Sequence, residues 1–172
     1  MRLAVADGPE AHAVPLPENF AHDACLLRCT FEHSPIESAA EGGLVTELPL
    51  ILVIEDEYFL QAYVEKVLTD AGFATDIVSS GEEALALMMD GTKRPSALVT
   101  DVKLAGRMTG WEVAKCIREK DPSFPVIYVT AHDRDWLAYG VANSIVIPKP
   151  LAPAKLVTAI FDLLNAGMPP TT

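Results

Sequence analysis

Polar side chains with the means to do chemistry follow several short apolar runs in the second part of the chain. Three of them are carboxylates, which repel one another when gathered unless a cation or a proton compensates their charge. Mg²⁺ is the natural cation, because it prefers hard oxygen ligands and commonly uses one or two carboxylates together with phosphate oxygens. The polar side chains are Glu55, Asp56, Asp101, Thr130 and Lys149, and we predict a Mg²⁺ site at the three carboxylates if the fold gathers them.

The same residue types are suited to phosphoryl transfer. A carboxylate such as that of Asp101 can attack phosphorus to form an aspartyl phosphate, a reaction that asks the protein mainly for positioning and charge neutralisation. Lys149 supplies a mobile cation for one phosphoryl oxygen, and the Thr130 hydroxyl can donate a hydrogen bond to another. Any one of these residues is ordinary at the end of a strand, but the whole set is difficult to obtain by accident.

Short apolar runs alternate with amphipathic stretches from Leu50 onward, which is the pattern of strand and helix units around a parallel sheet. The run from Leu50 to Ile54 is apolar at every position, as a strand covered on both faces requires. The pattern predicts five strands, at residues 50–54, 74–78, 97–100, 126–129 and 144–147.

Helical stretches separate these strands. The first ends at Gly72, because glycine adopts the left-handed conformation of a helix end without steric cost. The second opens with a capping box from Ser80 to Glu83. The other three are predicted at residues 110–120, at a short stretch around Trp136 and on the apolar face of Leu156, Ile160, Leu163 and Leu164.

Five strands alternating with five helices predict an α/β fold with a doubly wound five-stranded parallel sheet. Ligands of such sheets bind outside the carboxyl ends of the strands. The polar residues introduced above stand at those ends, so we expect them to converge on one rim.

Four short motifs resemble the receiver domain of response regulators. They are Ile54-Glu55-Asp56-Glu57, Val99-Thr100-Asp101, Val129-Thr130-Ala131 and Lys149-Pro150. The resemblance covers about residues 48–166 and implies the flavodoxin-like (βα)5 receiver fold, of the stand-alone, chemotaxis-regulator-like kind found in alphaproteobacteria.

The resemblance also implies a role for each site residue. Asp101 would be the phosphoacceptor, and Thr130 and Lys149 would bind the phosphoryl group. Mg²⁺ would be held by Asp101 with Glu55, Asp56 and the backbone carbonyl of Lys103. The Lys149–Pro150 peptide bond would be cis.

The sequence departs from the family pattern at several positions. Val146 occupies the place of a common Tyr or Phe on the fifth strand, so the usual coupling between the threonine and an aromatic switch residue is expected to differ. The stretch from Thr130 to Lys149 leaves little room for a full fourth helix, in which Trp136 and Tyr139 are either reporters of the switch or ordinary packing residues, the latter being favoured. The loop after Asp101 is one residue longer than usual and lacks a Met-Pro pair. Lys103 and His132, two residues beyond Asp101 and Thr130, are expected to tune the lifetime of the phosphoryl group.

The first 48 residues differ in composition from the rest. They contain eight acidic and two basic residues and four prolines, and their apolar residues show no sustained strand or helix periodicity. We predict a disordered extension at residues 1–47, a receiver domain at 48–166 and a short tail at 167–172. A zinc site is conceivable for four residues of the extension, but no second ligand pair lies nearby, and a start codon placed too far upstream would give the same appearance. The four residues are His22, Cys25, Cys29 and His33.

Bulk properties narrow the class of protein. The net charge of −11 would repel phosphate backbones, so direct nucleic-acid binding is disfavoured. No apolar run approaches the roughly 18 residues of a membrane span, and the first residues lack the pattern of a secretory signal. The three cysteines are odd in number, which fits a cytoplasmic protein with reduced thiols.

These observations predict a single-domain response regulator that is not an enzyme in its own right. It would accept a phosphoryl group from a histidine kinase or a histidine phosphotransfer protein, and then act by protein contacts or as a phosphate sink. No DNA-binding domain is expected after the last helix, since the sequence ends a few residues beyond it.

Two other functions remain open. A Mg²⁺-dependent phosphohydrolase on a related sheet would require an Asp-x-Asp motif after the first strand, where the chain has Glu55-Asp56-Glu57-Tyr58. An interaction module with a vestigial site is opposed by the intact Asp101, Thr130 and Lys149.

Overall fold

Five strands form a single parallel sheet in the computed structural model, which describes residues 47–166. Their order across the sheet is β2-β1-β3-β4-β5, so the chain winds outward from β1 in both directions. Every neighbouring pair is parallel. The strands are β1 (Leu50–Ile54), β2 (Ala74–Val78), β3 (Ala97–Thr100), β4 (Val126–Thr130) and β5 (Ile145–Pro148).

Helices cover both faces of this sheet. Their bounds are α1 (Tyr58–Asp70), α2 (Gly81–Asp90), α3 (Gly110–Lys120), α4 (Trp136–Tyr139) and α5 (Pro153–Asn165). A single 3₁₀ turn, Asp133–Asp135, precedes α4. The predicted doubly wound α/β fold is therefore confirmed.

The side chains of each strand alternate between two core clusters, because successive residues of a strand point to opposite faces. Leu52 and Ile54 of β1 pack with α2 and α3 on one face, whereas Ile51 and Val53 pack with α1 and α5 on the other. All four are buried to within 1% of complete exclusion from solvent. Each such side chain contributes about 1.5–3 kcal/mol of hydrophobic stabilisation, which accounts for the wholly apolar sequence of β1.

Local signals in the sequence set several helix ends. Gly72 adopts φ +87° after α1, and its N–H and that of Phe73 satisfy the last carbonyls of the helix. The capping box predicted at Ser80 is half realised: its hydroxyl accepts from the N–H of Glu83, but the Glu83 carboxylate accepts from the N–H of Ser79. A complete capping box, not predicted, opens α3 at Thr109.

Two other expectations about the second half of the domain are confirmed. Helix α4 is only one turn long, and the Lys149–Pro150 peptide bond is cis. The last strand begins and ends one residue later than predicted, at Ile145 and Pro148. Ser144 leaves the strand because its hydroxyl donates to the Val141 carbonyl, closing the turn before β5.

No helix among residues 47–166 is long and apolar enough to cross a membrane. The predicted extension, the tail and the four possible zinc ligands lie outside the described residues, apart from Glu47. The predicted domain boundaries therefore stay predictions.

Candidate functional site

Three of the predicted site residues meet directly at the carboxyl edge of the sheet. The ammonium group of Lys149 lies 2.6 Å from Asp101 Oδ2 and 2.8 Å from Glu55 Oε2. All three side chains are largely shielded, with relative exposures of 21% for Lys149, 12% for Asp101 and 6% for Glu55. Lys149 therefore neutralises two carboxylates that would otherwise repel each other.

The other oxygen of the Asp101 carboxylate faces the β3–α3 loop, residues 101–109. Asp101 Oδ1 accepts from the backbone N–H of Val102 at 2.5 Å and from that of Lys103 at 3.3 Å. The carboxylate is thus held on one side by loop amides and on the other by Lys149. Its orientation is fixed before any reaction takes place.

Burial disfavours the charged forms of Glu55 and Lys149, whereas the attraction between the carboxylates and the ammonium favours them. Burial raises the pKa of Glu55 above its ordinary 4.5, although Lys149 and the Glu57 N–H partly offset that rise. Burial alone would lower the pKa of Lys149, but its hydrogen bonds and charge interactions with Asp101 and Glu55 raise it above the ordinary 10.5. Lys149 is therefore cationic at neutral pH, where the negative charge of Glu55 depends on it.

Thr130 ends β4 beside this group and is fully buried. Its hydroxyl oxygen accepts from the N–H of His132 at 3.1 Å, and its carbonyl accepts from the N–H of Lys149 at 2.9 Å. The backbone of Lys149 is thereby attached to the strand that carries Thr130. The His132 side chain is exposed at the rim.

The remaining predicted metal ligands lie at the surface of the rim. Asp56 and Lys103 are exposed. In the part of the chain that the structure describes, no three His, Cys, Asp or Glu side chains are grouped so as to hold a metal ion. The donors nevertheless fit Mg²⁺ by their chemistry, because carboxylate and carbonyl oxygens are its usual protein ligands and Glu55 and Asp101 already share one cation.

Comparison with known proteins shows which family the chain belongs to. A model of the response regulator receiver domain matches residues 51–161, most of the described chain. The chain belongs to this family. Its members are phosphoacceptor modules of two-component signalling, and phosphorylation on an aspartate is inherent to them.

Individual relatives agree with the receiver assignment. The transcriptional regulatory protein CusR of Escherichia coli K12 is 30% identical over 122 residues, which are 68% of this chain and 52% of that protein. The chain thus spans about half the length of such curated relatives. A response regulator receiver protein of Sinorhizobium medicae WSM419 superposes with a TM-score of 0.67 at 39% identity, over 70% of this chain and 97% of that one. A receiver domain protein of Clostridium thermocellum gives 0.62 at 26% identity, over 69% and 96%.

Two aromatic side chains, Trp136 and Tyr139, lie in the segment before β5, and Val146 lies in the strand itself. Val146 pairs with Tyr128 in the sheet and is partly buried against the core cluster that α2 and α3 cover. Trp136 packs against the same cluster, and its indole N–H donates to Ser144 Oγ at 2.9 Å. Trp136 is therefore anchored, whereas Tyr139 is 61% exposed.

Several residues that support the site were missed by sequence reasoning. Gln61 donates to the Glu55 carbonyl at 2.6 Å, and Thr100 Oγ1 donates to the Asp101 carbonyl at 2.6 Å. Gly110 lies so close to that carbonyl that a Cβ atom would stand 2.1 Å from the oxygen. Gln61 and Thr100 had no recognisable signal, since polar residues in helices and strands are common, but the glycine after a loop at the start of a helix was a usable hint of close approach.

Proposed function

We propose that this chain is a response regulator whose Asp101 accepts a phosphoryl group from a phosphohistidine of a histidine kinase or a histidine phosphotransfer protein. The observation that supports this most strongly is the orientation of Asp101 between the loop amides and Lys149. This carboxylate stands at the carboxyl edge of the sheet, from which a donor would approach it. The proposed setting is the cytoplasm.

The proposed reaction forms a bond between an Asp101 carboxylate oxygen and phosphorus as the bond between phosphorus and the donor imidazole breaks. The imidazole leaves with the electron pair of that bond and takes up a proton from water. Lys149, cationic at neutral pH, would bind one phosphoryl oxygen, and the Thr130 hydroxyl another. Lys149 is held against Asp101 before the donor arrives, so this residue requires little reorganisation.

Glu55, Asp56, Asp101 and the carbonyl of Lys103 are the proposed ligands of Mg²⁺. When bound, the ion would offset negative charge on the phosphoryl oxygens. Exposed Lys103 and His132 flank the open side of the site and are the proposed modulators of phosphoryl lifetime, through their access to the attacking water.

The proposed outward signal passes through the segment after Thr130. If the Thr130 hydroxyl turns to the phosphoryl group, the N–H of His132 loses its acceptor, and the 3₁₀ turn and α4 follow directly in the chain. Val146 has no aromatic ring that could change its rotamer when Thr130 moves. Trp136, anchored to Ser144 near the start of β5, is the proposed substitute, and the partner would recognise this segment.

The direct test is phosphorylation by a small phosphodonor such as phosphoramidate in the presence of Mg²⁺. Mass spectrometry of the wild-type chain should show one added phosphoryl group, and Asp101→Asn should show none because an amide does not form the acyl phosphate. Asp162→Asn, at an exposed position of α5, is the matched control and should be labelled normally. Labelling that persists in Asp101→Asn would contradict the assignment.

The same experiment separates the alternatives raised by the sequence. Rapid turnover of phosphate esters would favour a phosphohydrolase. Absence of labelling from both small donors and phosphohistidine proteins would favour an interaction module with a vestigial site. None of the described contacts specifically favours either one.

A further inference from the structure

The β3–α3 loop is packed against the first turn of α2, although the two are far apart in sequence. Met108 of the loop is buried against Gly81, where a Cβ atom would come within 2.9 Å of the Met108 Cβ. At the far end of the loop, the N–H of Gly110 donates to the Val102 carbonyl at 2.9 Å. The loop is therefore held in one conformation by its packing on α2 and by this hydrogen bond.

Glu82 makes the polar contact between α2 and this loop. Its Oε1 accepts from the backbone N–H of Arg107 at 2.9 Å, across 25 positions of sequence. Gly106, with φ +120°, lies so close that a Cβ atom would stand 2.8 Å from Glu82 Oε2. That second oxygen is buried and has no hydrogen-bond partner among the described residues. One oxygen of the carboxylate is thus covered by the loop that the other oxygen holds.

The other end of the same loop touches the proposed phosphoacceptor. The N–H groups of Val102 and Lys103 hold Asp101 Oδ1, and the Asp101 carbonyl lies against Gly110. A displacement of the loop at Arg107 would therefore be transmitted to the amides that orient the carboxylate. The loop has few residues between Lys103 and Arg107 that could absorb such a displacement.

We infer that Glu82 is a positioning residue for Asp101, acting through the β3–α3 loop. This inference rests on the proposed function for the role of Asp101. A carboxylate suits the position for two reasons: the amino end of α2 favours negative charge, and a hydrogen bond to an ionised acceptor is stronger than one between neutral groups.

The chain supplies a matched control in the next residue. Glu83 lies in the same turn of α2 and also accepts a backbone N–H at 2.9 Å, but from Ser79 in the loop before α2. Glu82→Ala and Glu83→Ala each remove one such bond, and only the first releases the β3–α3 loop. Glu82→Gln keeps an acceptor oxygen for Arg107.

The experiment uses the full chain with phosphoramidate and Mg²⁺. In Glu82→Ala we expect the maximal phosphorylation rate to fall about tenfold, with little change in the donor concentration that gives half that rate, because misplacement of a reacting group affects the chemical step. Hydrogen exchange at the Arg107 amide should also accelerate about tenfold or more. Glu82→Gln should stay within about twofold of wild type, and Glu83→Ala should keep the wild-type rate despite a similar loss of stability.

Equal phosphorylation rates in wild type, Glu82→Ala and Glu83→Ala would overturn the inference. Equal rate losses in the two alanine variants would overturn it as well, since the effect would then be one of stability. If Glu82→Ala does not fold, Gly106→Ala perturbs the same contact from the loop and must slow phosphorylation for the inference to stand. If the wild-type chain is not phosphorylated at all, the proposed function fails, whereas unchanged exchange at Arg107 in Glu82→Ala would refute the loop contact itself.

Discussion

At the scale of single residues, the ammonium of Lys149 determines the electrostatics of the site. Glu55 is buried and its pKa is raised by that burial, so its ionised form needs a nearby positive charge. Asp101 shares the same cation. Removing Lys149 would leave two shielded carboxylates facing each other without compensation.

We therefore expect Lys149→Met to lose about 3 kcal/mol of unfolding free energy at neutral pH, the low end for a buried pair because Lys149 reaches water. The loss should shrink as pH falls. Without Lys149 the folded-state pKa of Glu55 rises further above 4.5, so the folded protein takes up a proton before the unfolded chain does and gains stability in that window. Urea unfolding between about pH 7.5 and about pH 5.5 measures this.

The control for this pH dependence is the double variant Lys149→Met, Glu55→Gln. It has no titrating group at position 55, so its stability relative to wild type should vary much less over the same range. If both variants show the same pH dependence, another group is responsible.

At the scale of elements, the segment between β4 and β5 is held by only a few contacts. Trp136 donates to Ser144, and the N–H of Val141 donates to the Tyr128 hydroxyl at 3.4 Å. Burial raises the pKa of Tyr128 to about 12, so that hydroxyl stays neutral at any physiological pH. The single-turn helix α4 has too little internal hydrogen bonding to be stable without such anchors.

Trp136→Phe should therefore cost about 1–2 kcal/mol of unfolding free energy, because the indole hydrogen bond and some packing are lost. Leu137→Ala in the same turn is the control, and since Leu137 is 88% exposed its effect should stay within about 0.5 kcal/mol. Chemical denaturation of both variants tests this. Equal effects would mean that Trp136 is only a surface residue.

At the scale of the whole molecule, both core clusters are built by residues 51–160. The sheet that separates them is common to both, so neither half can unfold while the other keeps its hydrophobic burial. The predicted domain boundaries at residues 48 and 166 stay predictions, which a shortened chain can test.

A chain shortened to residues 48–166 should thus unfold in one transition with the urea midpoint of the full chain, and should be phosphorylated at the same rate. The reason is that every described contact to Asp101, Lys149 and Glu82 comes from within that range. Circular dichroism and the phosphoramidate assay check the two halves of the prediction. A lower midpoint would show that residues outside this range contribute to stability.

The sequence by itself was sufficient for the strands and for the rim residues. A central strand covered on both faces needs a largely apolar run, and a polar residue ends or follows it, so β1 with Glu55 and β3 with Asp101 were predictable from adjacent positions. The end of α1 was predictable for the same reason, because Gly72 is a local signal.

The tertiary structure decided how these residues interact. Lys149 and Glu55 are 94 positions apart, and Glu82 and Arg107 are 25 apart. Periodicity records only which face a residue occupies, so it carries no information on which oxygen receives the lysine or which helix holds the loop. Such pairings arise from the crossing of elements in space, where burial makes each unpaired charge or N–H costly and so selects the partner within reach.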